Sequence, residues 1–151
     1  MSLTFTPAFR ASIIVGEIQE VGMTAKGRRR TIPILGGEFS GDDMSGVILP
    51  GGADWQLIRP DGVAEIDAQY TMQTTDGVII YIRNIGLRHG PKAVMDRLAR
   101  GEEVSPDEYY FRTSPTFEVE NGKYDWLNRT LFVGVGERGK ERVHFTFYAV
   151  S

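Results

Sequence analysis

The sequence has no cysteine. That absence excludes disulfides, thiolate zinc sites, iron–sulfur clusters and a cysteine nucleophile together. Only two histidines occur, His89 and His144, so one chain cannot build a three-histidine zinc site. No His-Glu-x-x-His helix exists, and the acidic pairs Asp42-Asp43 and Glu102-Glu103 lack calcium-loop spacing. No metal and no prosthetic group are therefore expected. Long apolar runs are also missing: the longest, Val78-Ile79-Ile80-Tyr81-Ile82, is far too short to span a bilayer. The N-terminal Met1-Ser2-Leu3-Thr4-Phe5-Thr6-Pro7 lacks the basic start and apolar run of a signal peptide. Together with the missing cysteine, this predicts a cytoplasmic protein with no membrane contact. Basic excess is missing too. Seventeen Lys+Arg against 20 Asp+Glu leave a net charge of -3, the wrong sign for a nucleic-acid partner.

What is present is ordinary globular material: 151 residues, 41% hydrophobic and 25% charged. That length suits one domain, residues 1–151, with a substantial core. Eighteen glycines punctuate short β-type runs. Ala11–Val21 and Arg28–Phe39 read as a first pair, followed by Ser45–Leu49 and Asp54–Arg59. Val63–Thr75 alternates strictly, with Ala64, Ile66, Ala68, Tyr70 and Met72 on one face, the period of a half-buried strand. Asp76-Gly77 is a favoured two-residue turn, and Val78–Ile85 returns, placing Tyr70 opposite Arg83. Pro91, the stripe Val94, Met95 and Leu98, and Gly101 mark one helix over Lys92–Arg100. Runs at Tyr109–Thr113, Thr116–Glu120, Trp126–Gly136 and Arg142–Val150 complete the pattern, with Asn121-Gly122 as another hairpin turn. No βαβ alternation appears. The fold class is all-β: an antiparallel meander closing into a small β-barrel of about 8–10 strands with one short inserted helix. Closure removes the exposed edges an open sheet would leave.

Two phosphate-binding motifs match in letters only. Gly134-Val135-Gly136-Glu137-Arg138-Gly139 fits the dinucleotide fingerprint, and Gly134 to Lys140 begins a P-loop. Both need a helix after the loop, yet Val143, Phe145 and Phe147 alternate as a strand does. This is the tip of a glycine-rich hairpin. Arg28-Arg29-Arg30, the one basic run, reads as a solvated hairpin end.

A barrel of this size is either filled by side chains or holds one small ligand. Polar and aromatic residues among apolar neighbours are the candidates. Arg83, flanked by Ile79, Tyr81 and Ile85, reads as a buried cation that either completes an ion pair or anchors an anion. Asp54 and Trp55 follow Gly51-Gly52, as a pocket rim or as a core Trp with a capping Asp. Tyr70, Trp126 and Phe132 offer stacking surface; Asn84, Arg112 and Asn128 offer polar contacts. Asp67 and His144 are the candidate proton carriers, with a plain surface role as the alternative for each. Which sheet face lines the interior decides among them.

Several blocks in order then carry a resemblance: Gly51-Gly52-Ala53-Asp54-Trp55, Asp67-Ala68-Gln69-Tyr70 with Asp76-Gly77, and Arg83-Asn84-Ile85-Gly86. Tyr110-Phe111-Arg112-Thr113-Ser114-Pro115-Thr116-Phe117-Glu118 and Tyr124-Asp125-Trp126-Leu127-Asn128 continue the series. Together they resemble the domain-of-unknown-function 3237 group, also called uncharacterised protein family 0311, from about Ile13 to Val150. The resemblance implies a small bacterial-type soluble β-barrel and a homodimer. It transfers no catalytic residue, and Gln69 stands where the family leads one to expect a basic side chain. The combined expectation is a barrel that binds a small aromatic or carboxylated molecule. The alternatives are a cofactor-independent isomerase, cyclase or lyase on such a molecule, and a solidly packed interaction module.

Overall fold

The computed structural model describes residues 1–151. In chain order the elements are β1 (Phe5–Val15), β2 (Gln19–Thr24), β3 (Gly27–Ser40), β4 (Ser45–Ile48), β5 (Gly52–Ile58), β6 (Ala64–Thr74) and β7 (Ile79–His89). Helix α1 (Lys92–Ala99), β8 (Tyr110–Glu118), β9 (Phe132–Arg138) and β10 (Arg142–Val150) follow. Short 3₁₀ turns occupy Pro106–Glu108 and Asp125–Arg129. Every strand pairing is antiparallel, and β1–β3–β5–β6–β7–β8–β9–β10 closes back on β1 as an eight-stranded barrel. Strand β2 extends β3, and β4 bridges β3 and β6. No helix is long and apolar enough to cross a membrane.

Closure follows from alternation. Strand β6 is buried at every even position from Ala64 to Thr74, and β8 alternates in the same way. Each strand thus turns one face to a shared interior and the other to solvent. The interior is not uniform along the axis. One end is plugged by phenylalanines: Phe9 and Phe147 lie 4.9 Å apart, as do Phe117 and Phe132, with Phe39 beside Phe9. Those rings are almost wholly buried. At the other end the inward positions carry Arg30, Gln56, Arg88 and Arg138, and α1 lies across the opening. The hydrophobic side chains of α1, Val94, Met95 and Leu98, pack on the edge of the core without being buried. Gly101 caps it at φ +78°, as expected from its place in the sequence.

The structure corrects five local expectations. The β6–β7 register sums to 152, with Tyr70 opposite Ile82 and Gln69 opposite Arg83. The loop therefore spans three residues, with Gly77 left-handed at φ +89° and its N–H bonded to the Thr74 carbonyl. A one-residue slip exchanges the two faces of a strand, so Arg83 points outward while Ile82 and Asn84 point in. The run Ala11–Val21 is split at Gly16–Ile18 into β1 and β2, both paired with β3. The split lies opposite Pro33, whose carbonyl accepts from the Gly16 N–H but which has no N–H to return. The runs Tyr109–Thr113 and Thr116–Glu120 form the single strand β8, and Pro115 is tolerated because β8 pairs with β9 only at Arg112 and Thr113. The run Trp126–Gly136 begins as a 3₁₀ turn and becomes strand only at Phe132. Asn121-Gly122 accordingly leads into that turn instead of a hairpin.

The glycine motif becomes a packing device. Strand β9 runs straight into β10, so the helix a phosphate loop requires is a strand. Gly134 and Gly136 face inward, and a methyl group at Gly136 would lie 2.8 Å from the Phe111 ring. The glycines make room for core aromatics.

Candidate functional site

The mouth under α1 is a vestibule of about 590 Å³. Arg30, Arg88 and Arg138 bring cations to it, Arg28 and Lys92 at its rim are paired with Glu20 and Asp96, Asp61 and Asp96 also line it, and Ile58, Met95 and Leu98 bring apolar surface. Below it lies an inner chamber of about 40 Å³, walled by Ile13, Ile32, Ile66, Ala68, Phe111 and Phe145. Arg88 and Arg138 border both spaces, and Asp54 borders the inner one.

Strand parity puts these groups together. Asp54 and Gln56 are inward positions of β5, Arg88 is the inward end of β7 beyond Ile80, Ile82 and Asn84, and Arg138 continues the Phe132–Gly134–Gly136 face of β9. Arg30 is the inward member of the basic run. It donates through Nη2 (2.6 Å) and Nε (3.2 Å) to Gln56 Oε1. That orients the fully buried Gln56 amide so that Nε2 donates to Asp54 Oδ2 at 3.0 Å. Asp54 Oδ1 accepts the Asp67 backbone N–H at 2.9 Å. Both Asp54 oxygens are thus held by neutral donors, and the arginines act on the carboxylate through space. Burial pushes the Asp54 carboxyl up from its ordinary value, opposed by those two hydrogen bonds and by the charges of Arg88 and Arg30.

Arg88 is 8% exposed and its Nε has no hydrogen-bond partner; Arg138 Nη1 is likewise buried and unpartnered. The Arg88 guanidinium lies 5.3 Å from the centre of the Phe111 ring. Burial, with Arg138 adding repulsion, lowers its pKa to about 10, so it stays cationic at neutral pH. Burial also lowers Arg138 and Arg30, each pushed further by a neighbouring arginine. Three cations converge on one buried carboxylate, leaving a local excess of positive charge with free donors.

The residues anticipated from sequence are scattered relative to this site. Asp54 belongs to it. Tyr70 and Asn84 face the interior, deeper in the barrel, and neither the Tyr70 hydroxyl nor the Asn84 amide has a partner. Trp55 is 49% exposed on the outer face, where its carbonyl accepts from Arg29. Arg83 is also outside and donates Nε and Nη2 to Asp67 at 3.1 Å each. That places Asp67, too, away from the pocket, and His144 lies exposed on the outer face of β10. Arg112 points outward toward the Tyr110 ring. Trp126 packs on Phe132 at the plugged end, and Asn128 closes the 3₁₀ turn onto Val119 through both of its amide atoms. Sequence reasoning missed Arg30, Gln56, Arg88 and Arg138. The signal was available: Arg88 shares parity with Ile80 and Ile82, on a strand whose expected register was one residue off, and Arg138 shares parity with Phe132 but falls in the stretch read as a glycine-rich hairpin tip.

Fold and site define the class: a small closed antiparallel β-barrel, plugged with aromatics at one end and lined with buried arginines at the other. The chain belongs to the family described as protein of unknown function (DUF3237), whose model matches residues 3–150. It is 44% identical over 135 residues to the UPF0311 protein RPA1785 of Rhodopseudomonas palustris, covering 89% of this chain and 88% of that protein. The crystal structure of RPA1785 superimposes with a TM-score of 0.94 over 100% of this chain and 99% of that one. A β-barrel-like protein from Acinetobacter baumannii AYE, 38% identical, gives 0.88 over 100% and 98% of the two chains. A structure described as an enzyme from Penicillium herquei shares the fold at 19% identity, TM-score 0.71, over 99% and 94%.

Proposed function

We propose that this barrel binds a small anionic molecule with an apolar portion, its charged oxygen against Arg88 and Arg138 and its body in the vestibule under α1. The observation that carries this reading is the pair of buried, unpartnered donors, Arg88 Nε and Arg138 Nη1. A buried guanidinium with free N–H groups costs several kcal/mol unless something accepts from it, and a carboxylate or enolate suits its planar fork. The apolar residues Ile58, Met95 and Leu98 suit the body of such a molecule.

The test is calorimetric titration with benzoate, phenylacetate and benzyl alcohol. The two acids should bind, and benzyl alcohol should not. Arg138→Gln should weaken acid binding by at least tenfold. Arg83→Gln, on the outer face, should leave it unchanged. Equal binding of acid and alcohol, or no binding of either, refutes the proposal and favours the packed interaction module.

The homodimer belongs to the same proposal. Trp55, Leu57, Ile85 and Leu87 form an outer apolar strip flanked by Arg29, Arg83, Glu65 and Asp67. Such a mixed patch can complement itself across a two-fold axis. Light scattering at two concentrations should give a dimer, and Ile85→Lys a monomer.

A further inference from the structure

Asp54 is more than a countercharge. It borders the inner chamber together with Arg88 and Arg138, so a base and two oxyanion-stabilising cations face one small apolar space. Its carboxylate is held in a fixed orientation by the chain Arg30–Gln56–Asp54 and by the Asp67 amide. A structural countercharge would sit in direct contact with a guanidinium. Here neutral donors hold the acid while the arginines keep free N–H groups, which leaves those donors available to an oxygen that gains negative charge.

We propose that Asp54 is a catalytic base that abstracts a proton from the carbon next to a carbonyl, and that the substrates are small 2-oxo acids. This rests on the anion-binding reading above. The Asp54 carboxylate takes the proton as the C–H bond breaks, and that electron pair forms a C=C bond. The carbonyl π pair moves onto oxygen, and the resulting enolate oxygen lies against Arg88 Nε and Arg138 Nη1. Returned to the same carbon, the proton regenerates the substrate and leaves only hydrogen exchange; returned to a conjugated carbon, it completes an isomerisation that needs no co-reactant. The adjacent carboxylate and carbonyl of a 2-oxo acid present both oxygens to the arginine pair. The inner chamber of about 40 Å³ admits only the reacting carbon and a small group, and the remainder lies in the vestibule. The groups facing Asp54 are Gln56 on β5, Arg30 on β3, Arg88 on β7, Arg138 on β9 and the Asp67 amide on β6.

The experiment follows deuterium uptake by 2-oxobutanoate and phenylpyruvate in D₂O by NMR, alongside the thermal shift each produces. The wild-type protein should exchange the C3 protons well above the buffer rate. Asp54→Asn should lose about 10²–10⁴-fold of that rate while keeping the thermal shift. His144→Gln should keep both. The wild-type rate should rise with pH through a midpoint above 3.8, the ordinary aspartate value. A thermal shift without exchange overturns the base and leaves the binding reading standing. Exchange that survives Asp54→Asn, or a pH midpoint at or below 3.8, also overturns it. No shift with either acid overturns both readings.

Discussion

Arg88 shows what a residue can cost a fold that keeps it. Its guanidinium is buried against Phe111 with one N–H unanswered. Replacing such a group by an apolar chain of similar length removes a desolvation penalty. In an Asp54→Asn background, where no buried carboxylate is left uncompensated, Arg88→Met should therefore raise the stability of the free protein by about 1–3 kcal/mol, read by urea unfolding, while abolishing acid binding. A loss of stability would mean that Arg88 is structurally compensated after all. Asp54 makes a second prediction through pH. Its folded pKa is raised by burial, so its contribution is fully present below 3.8 and is lost as pH rises through the folded value. Asp54→Asn abolishes that loss. The stability difference, variant minus wild type, should grow as pH is taken from below 4 to neutrality, and a flat difference would contradict the burial argument.

At the scale of elements, turns and glycines decide which face is interior. Gly77 sets the three-residue β6–β7 loop at φ +89°, with open space where a side chain would project. Gly77→Ala should thus cost only the backbone penalty, about 1–2 kcal/mol, with the barrel and the site unchanged. Gly136 is the opposite case: its φ is unremarkable, but the Phe111 ring fills the space beside it. Gly136→Ala must push Phe111, on which Arg88 rests, and should cost about 1–3 kcal/mol together with weaker acid binding. Denaturant melts and titrations on the two variants separate strain in a turn from crowding next to the site.

Across the whole molecule, the barrel divides its interior between stability and chemistry. The plugged end holds Phe9, Phe117, Phe132 and Phe147 in mutual edge and tilted contacts. Phe147→Ala, at a wholly buried ring, should cost about 3–5 kcal/mol in urea unfolding without changing the mouth's preference for acids. The open end is filled less tightly, because guanidinium groups without acceptors are costly in a dry core. Stability at one end permits a charged cluster with unpartnered donors at the other.

Much of this architecture is local information. The strict alternation of Val63–Thr75, the presence of a turn at Asp76-Gly77, the capped stripe Val94–Leu98 and the lack of βαβ units establish an antiparallel barrel with one helix. Each rests on contacts between near neighbours in the chain, and so each is legible from the amino acids in order. The failure of the glycine motif is legible for the same reason, since the alternation after it belongs to a strand. The site is another matter. Arg30, Asp54, Gln56, Arg88 and Arg138 come from four strands, β3, β5, β7 and β9, and converge only when the sheet closes. Whether Arg83 or Arg88 reaches the interior depends on one residue of loop at Gly77, a choice of register settled by the fit of whole strands against each other. Burial, and with it the unpartnered donors and the shifted carboxyl of Asp54, exists only after that closure, because desolvation is a property of the assembled interior.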